Sequence, residues 1–263
     1  MTGGHRDEGR DPASRPAPPN RVAVVVPAKD EQDRIGPTVE AAGDLPGVDV
    51  VVVVDDGSRD ATATVAARAG ADVVRHPRNR GKGAAMTTGA RRVQVLDLEQ
   101  DRPRSALLFL DADLGRTAAA TAALTGPVLR GSADLTVAVL GRQRTDGGGH
   151  GFVVGLSRRG IVRATGWTPT QPLSGMRCLT PQAFDAALPL ARGWGVETAM
   201  TIDLLTAGYR IEEVPCELQH RVTGSDWAGQ LHRAAQYRDV ALALAVRGAR
   251  GRLARLRGDR PAR

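Results

Sequence analysis

The sequence is short of cysteine, of lysine and of long apolar runs, and each shortage removes a class of answers. Two cysteines in 263 residues, Cys178 and Cys216, both in apolar contexts, argue against a disulfide scaffold. They read as core thiols of a reducing, cytoplasmic compartment. No apolar run approaches the roughly 20 residues of a membrane-spanning helix. Met1–Asn20 is Gly, Pro, Arg, Asp and Ser with no apolar stretch, so it is expected to be a disordered tail and not a secretory signal. Lysine stands only at positions 29 and 82, against a background rich in Arg and Ala, which makes each position informative. The G-x-x-x-x-G-K-[ST] phosphate loop is absent, and no strand-to-helix turn carries G-x-G-x-x-G, so Walker-type and dinucleotide-binding readings have weak support.

The formal net charge is +7, but Arg247 to Arg263 alone holds seven arginines and one aspartate. The body is therefore near neutral. A basic tail of this kind reads as a solvated or surface-binding arm, and no nucleic-acid partner is expected.

What the chain does have is alternation. Apolar, β-branched runs at Arg21–Val26, Val48–Val54, Ala71–Arg75 and Ala106–Leu110 are separated by helix-like stretches from about Glu31 to Gly43, up to Ala69, and from the "NRGKGAAMTTGARRV" segment onward. This pattern predicts βαβ units and an α/β fold with a mostly parallel sheet. Further on, Ala133–Leu140 and Arg210–Gln219 read as strands, residues 144–151 as a flexible loop, and Trp227–Arg247 as one long amphipathic helix. In such sheets ligands bind beyond the carboxyl ends of the strands, and the polar clusters stand there.

The first strand runs into "PAKDE", where Pro27 is expected to halt the ladder and Asp30 and Glu31 either cap the next helix or receive a ligand. The second ends in "DDGSRD", with Asp55 able to accept hydrogen bonds from a base or ribose, or to serve a turn. "NRGKGAAM" sets Lys82 between two glycines at a helix start, a fitting place for an anion. The fourth strand ends in "LLFLDADLG", whose Asp111 and Asp113 project to the same side. Two close carboxylates repel unless a cation joins them, and a hard divalent ion on oxygen ligands resolves the repulsion. The plainer alternative for each cluster is a helix cap, a turn or a solvated acid.

Together "VVVPAKDE", "VVVVDDGSRDAT", "NRGKGAA" and "LLFLDADLG", over roughly Arg21 to Gly115, resemble the GT-A glycosyltransferases of the family 2 type. The resemblance implies a Rossmann-like nucleotide-diphospho-sugar transferase fold, a nucleotide-sugar donor such as UDP-glucose, and Mg²⁺ or Mn²⁺. It implies that Pro27, Ala28 and Glu31 line the nucleotide pocket, Asp55 reads the base edge, Lys82 faces the nucleotide or its phosphates, Asp111 approaches the ribose and Asp113 binds the metal. In the carboxyl half "PLSGMRCL", "GWGVETAMTIDLLTAGYRIEEV" and "QHR" look like glucosyl-3-phosphoglycerate synthases and their relatives. That likeness places Gly175 and Glu197 in the acceptor region, with Glu197 orienting the acceptor or acting as base, and makes His220 a metal ligand. It also makes a homodimer plausible.

One departure alters the expected acceptor. Where those synthases carry an arginine and a threonine for the acceptor's phosphate and carboxylate, "GGGHGFVVG" puts His150 and Phe152. A phenyl ring cannot hydrogen-bond an oxyanion, and an imidazole is a weak substitute for a guanidinium fork. Arg158, Arg159 and Arg163 would instead grip another anionic acceptor, a small molecule or a polyprenyl phosphate; solvated arginines are the plainer reading. Two other functions compete. Nucleotidyl transfer lacks its glycine-rich signature with a following arginine and "PK". A membrane-surface or nucleic-acid binder would use the helix from Trp227 and the basic tail. The expected organisation is a disordered tail over residues 1–20, a GT-A domain over 21–247 and a basic tail over 248–263.

Overall fold

The computed structural model describes residues 16–141, 150–217 and 227–256. Seven strands form one sheet: β1 (Val22–Ala28), β2 (Val48–Asp55), β3 (Asp72–Arg75), β4 (Ala106–Phe109), β5 (Leu135–Leu140), β6 (Arg177–Leu179) and β7 (Ile211–Cys216). Their order is β3-β2-β1-β4-β6-β5-β7. Every neighbouring pair is parallel except those of β6, which runs antiparallel to both β4 and β5. Parallel neighbours need crossovers, and α1 (Ile35–Gly43), α2 (Thr62–Arg68) and α3 (Lys82–Glu99) supply them for the first four strands.

The continuous apolar run of β1 is explained by burial on both faces. Val22, Val24 and Val26 pack with Val51, Val53, Leu108 and the α1 residues Ile35 and Val39. Ala23 and Val25 face the other way, onto Val52, Val54, Leu107, Phe109 and the α3 residues Ala85, Met86 and Ala90. The period of two along a strand makes this division automatic. The remaining α-helices among the described residues are α4 (Thr125–Leu129), α5 (His150–Thr165), α6 (Pro181–Ala186), α7 (Val196–Thr206) and α8 (Trp227–Leu256). Cys178 and Cys216 are buried free thiols, and burial raises the pKa of both.

Several local expectations change. Pro27 does not end β1, which pairs with β2 through Ala28↔Asp55. On the other side β4 has its last partner at Val25, so the missing N–H of Pro27 falls where β1 has one neighbour only. Pro19, inside the segment expected to be disordered, is buried. The helix expected to stop at Arg247 continues to Leu256, with Val240 and Ala243 buried. Arg247 bonds the carbonyls of Ala199 and Ala243 and pairs with Asp203, so this part of α8 packs on the body. Among the described residues no helix is long and apolar enough to cross a membrane.

Candidate active site

β1, β2 and β4 are parallel, so their polar ends open on one edge of the sheet. The loop after β1 is tied to the loop after β2. Asp30, held at φ 55°, accepts the Arg59 N–H (2.8 Å) and donates its own N–H to Ser58 Oγ (2.9 Å); Glu31 N–H reaches Thr62 Oγ1 (2.8 Å). Asp30 and Glu31 therefore do not cap α1, which has no side-chain cap. Asp30 also pairs with Lys29, and this bond, together with the Arg59 N–H, holds its carboxyl below the usual carboxylate range.

A cavity of about 930 Å³ lies at these loops, bounded among others by Lys29, Asp30, Ser58, Arg59, Arg75 and Arg78. Pro27, Ala28, Glu31 and Asp55 are not among its lining residues; Ala28 and Asp55 are buried. Asp55 Oδ1 takes the Ser58 N–H at 2.8 Å. Arg75 Nε forms an ion pair with Asp55 Oδ2 at 3.0 Å, and this buried oxygen has no hydrogen-bond partner. Gly57 turns at φ 74°, and a Cβ there would meet the carbonyl carbon of Arg78 at 2.6 Å. Asp56, also buried, accepts N–H groups from Arg80 (2.9 Å) and Gly81 (2.7 Å) and contacts His76 Nδ1 at 2.6 Å. His76 Nε2 meets Thr88 Oγ1 at 3.0 Å. The loop that delivers Lys82 is thus hooked onto the end of β2.

Lys82 is the centre of the site. Its Nζ lies 2.8 Å from Asp111 Oδ1 and 2.9 Å from Glu197 Oε1. Burial alone would lower its pKa, but the two carboxylates outweigh that and hold it above the ordinary lysine range, so it stays cationic. Gly175 backs this cluster. A Cβ there would sit 2.6 Å from both Lys82 Nζ and Asp111 Oδ1. Glu197 is buried in the first turn of α7, where the helix dipole favours a carboxylate.

Beneath lies Arg177, a residue that sequence reasoning missed. It is the largest fully buried side chain among the described residues, and it bonds the carbonyls of Ser174 (2.8 Å), Glu197 (3.0 Å) and Pro172 (3.2 Å) and Thr201 Oγ1 (3.0 Å). Burial pulls its guanidinium down to about 10, against the opposing pull of Glu197, Glu213 and Asp111, which leaves it charged at neutral pH. Four segments far apart in the chain thus converge with two cations and two anions.

Asp113 pairs loosely with Arg34, Nη1 to Oδ2 at 3.6 Å. Its loop is anchored by buried Thr38, whose hydroxyl donates to Ala112 O (2.9 Å) and accepts the Gly115 N–H (2.8 Å). No group of three His, Cys, Asp or Glu side chains poised for a metal occurs among the described residues, and His220 lies outside them. The chemistry of the donor set still fits: Asp111 and Asp113 offer hard carboxylate oxygens, and Mg²⁺ is typically held by one or two carboxylates plus substrate phosphates.

The acceptor arginines are not brought to this cluster. Arg158 is committed to the carbonyls of Pro169 (2.9 Å) and Thr170 (2.7 Å), while Arg159 and Arg163 stay exposed on α5. His150 begins that helix, Phe152 is exposed, and residues 144–149 of the expected loop lie outside the described ones.

The glucosyl-3-phosphoglycerate synthase of Mycobacterium tuberculosis, solved with Mg²⁺ and uridine diphosphate, superposes with a TM-score of 0.68 at 27% identity over 87% of this chain and 79% of that one. Another structure of that enzyme holds Mn²⁺, UDP-glucose and phosphoglyceric acid. An uncharacterized glycosyltransferase of Mycobacterium bovis is 32% identical over 210 residues, covering 77% of this chain and 87% of its own length. The synthase of Mycolicibacterium paratuberculosis is 29% identical over 206 residues, 69% of this chain. The chain spans 59% of that synthase's length and 28% of another curated relative. The sheet and its strand-end site define a GT-A fold. The family model for Glycosyl transferase family 2 matches residues 23–147, and the chain belongs to that family.

Proposed function

We propose that this domain, spanning residues 21–247, transfers a sugar from a uridine diphosphate sugar to an anionic acceptor with the help of Mg²⁺ or Mn²⁺. The observation that carries the reading is Lys82 held between Asp111 and Glu197 against the bare backbone of Gly175. In the transfer, the bond from the anomeric carbon to the diphosphate breaks and one to the acceptor oxygen forms, with the diphosphate taking the electron pair. Asp113, with His220 as the family resemblance implies, would hold the metal, whose charge would stabilise that leaving group. Lys82, held cationic at this place, would add to the same field. The unused acceptor on buried Asp55 suits a base-edge N–H, as in uracil. Asp111 would reach the ribose when Lys82 turns to the phosphates. Glu197 orients the acceptor, and serves as base if that acceptor is a hydroxyl. A phosphate acceptor, already ionised, needs none.

Asp113→Ala is expected to abolish metal-dependent binding of UDP-glucose in calorimetry while leaving the thermal midpoint of the ligand-free protein unchanged. Equal affinity in both proteins, with and without the divalent ion, would sink the assignment.

A further inference from the structure

The start of α3 borders a second cleft, also of about 930 Å³, which shares Arg78 and Asn79 with the cavity at the β1 and β2 loops as a common wall. Its lining includes Arg78, Arg80, Arg91 and Arg192, and no aspartate or glutamate. All four arginines are exposed. Among the described residues none of the four has a carboxylate partner, unlike the neighbouring Arg92. Arg92, one residue further along α3, holds Asp72 through Nε (3.0 Å) and Nη2 (2.7 Å). Arg104 pairs with Asp185, and Arg210 with Asp134. Four uncompensated guanidiniums around one concavity repel each other, and an anion relieves that repulsion. The first turn of the eighteen-residue α3 adds positive potential at the same place.

We infer that this cleft is a second anion site, which takes a soluble small molecule carrying two or more phosphate groups. Guanidinium forks match phosphate oxygens in pairs, so four of them exceed what one phosphate can engage. The volume is that of a small-molecule site, and a concave cleft suits a discrete ligand better than a planar lipid surface. The site stands independently of the transferase reading, since its walls contain none of Lys82, Asp111, Asp113 or Glu197.

The test is calorimetry of the full chain with inorganic triphosphate at low ionic strength. Wild type is expected to bind at one saturable site that weakens as salt is added and persists under saturating UDP and Mn²⁺. The Arg91→Gln/Arg192→Gln protein should bind triphosphate about tenfold more weakly or worse, and the Lys/Lys version should recover part of the loss. Metal-dependent UDP binding should be the same in all three, which also confirms that each is folded. The proposal is overturned if UDP displaces the triphosphate, if the Gln/Gln protein binds it as tightly as wild type, or if wild type binds phosphatidylglycerol vesicles but no triphosphate. Failure of the transferase reading would instead remove UDP binding and leave triphosphate binding intact.

Discussion

Two loops deliver residues to the Lys82 cluster, and they are secured by opposite means. The loop before α3 turns backbone N–H groups inward, and the buried carboxylate of Asp56 collects those of Arg80 and Gly81 along with His76. The loop before β6 turns carbonyls inward. Guanidiniums collect them: Arg177 takes Pro172 and Ser174, and Arg158 takes Pro169 and Thr170, with Glu213 receiving the N–H groups of Thr170 and Gln171. The sign of each anchoring charge follows from which half of the peptide unit the loop presents. A buried backbone group must be paired, and an ion pairs several at once.

The strongest way to break this contrast is Arg177→Met. It takes the guanidinium from four buried acceptors, of which the Glu197 carbonyl keeps the Thr201 hydroxyl, and is expected to cost about 3 kcal/mol or more, read as a lower urea midpoint; Arg177→Lys should restore part of it. Asp56→Asn keeps the shape but exchanges an anion for a neutral amide. Its expected cost is smaller, about 1–2 kcal/mol, again by urea titration. If it equalled the loss from Arg177→Met, the two anchors would be of the same weight and the contrast would fail. The smallest effect belongs to Asp30, an exposed carboxylate bonded to Lys29 and the Arg59 N–H. Its pKa is lowered in the folded chain, so its contribution is present above its unfolded pKa of about 4 and fades as pH falls through the folded value. Thermal melts across that acid range should show a slightly shallower loss of stability in Asp30→Asn than in wild type.

The same contrast explains what could be read from the chain. β1, β2 and β4 announce themselves because strands buried on both faces must be apolar throughout, and the charges that follow them stand out for that reason. Lys82 and Asp111 were legible as a glycine-flanked lysine and a strand-end acid; their junction with Glu197 was not, since the family resemblance placed that residue only in the acceptor region. β6 was not legible. It has three residues, one of them Arg177, and a guanidinium reads as surface until the carbonyls that solvate it are known. Asp56 and His76 stand 20 positions apart, and nothing local links them.

The short strand β6 has one more consequence. Three residues, Arg177 to Leu179, carry the whole ladder between β4 and β5, and so between the two wings of the sheet. Lys82 and Asp111 belong to one wing, Gly175 and Glu197 to the other. A slip of a single step along that suture, about 3.3 Å, would exceed the 2.9 Å that joins Lys82 to Glu197. The ion pair therefore acts as a gauge of alignment: it closes only when both wings are in register.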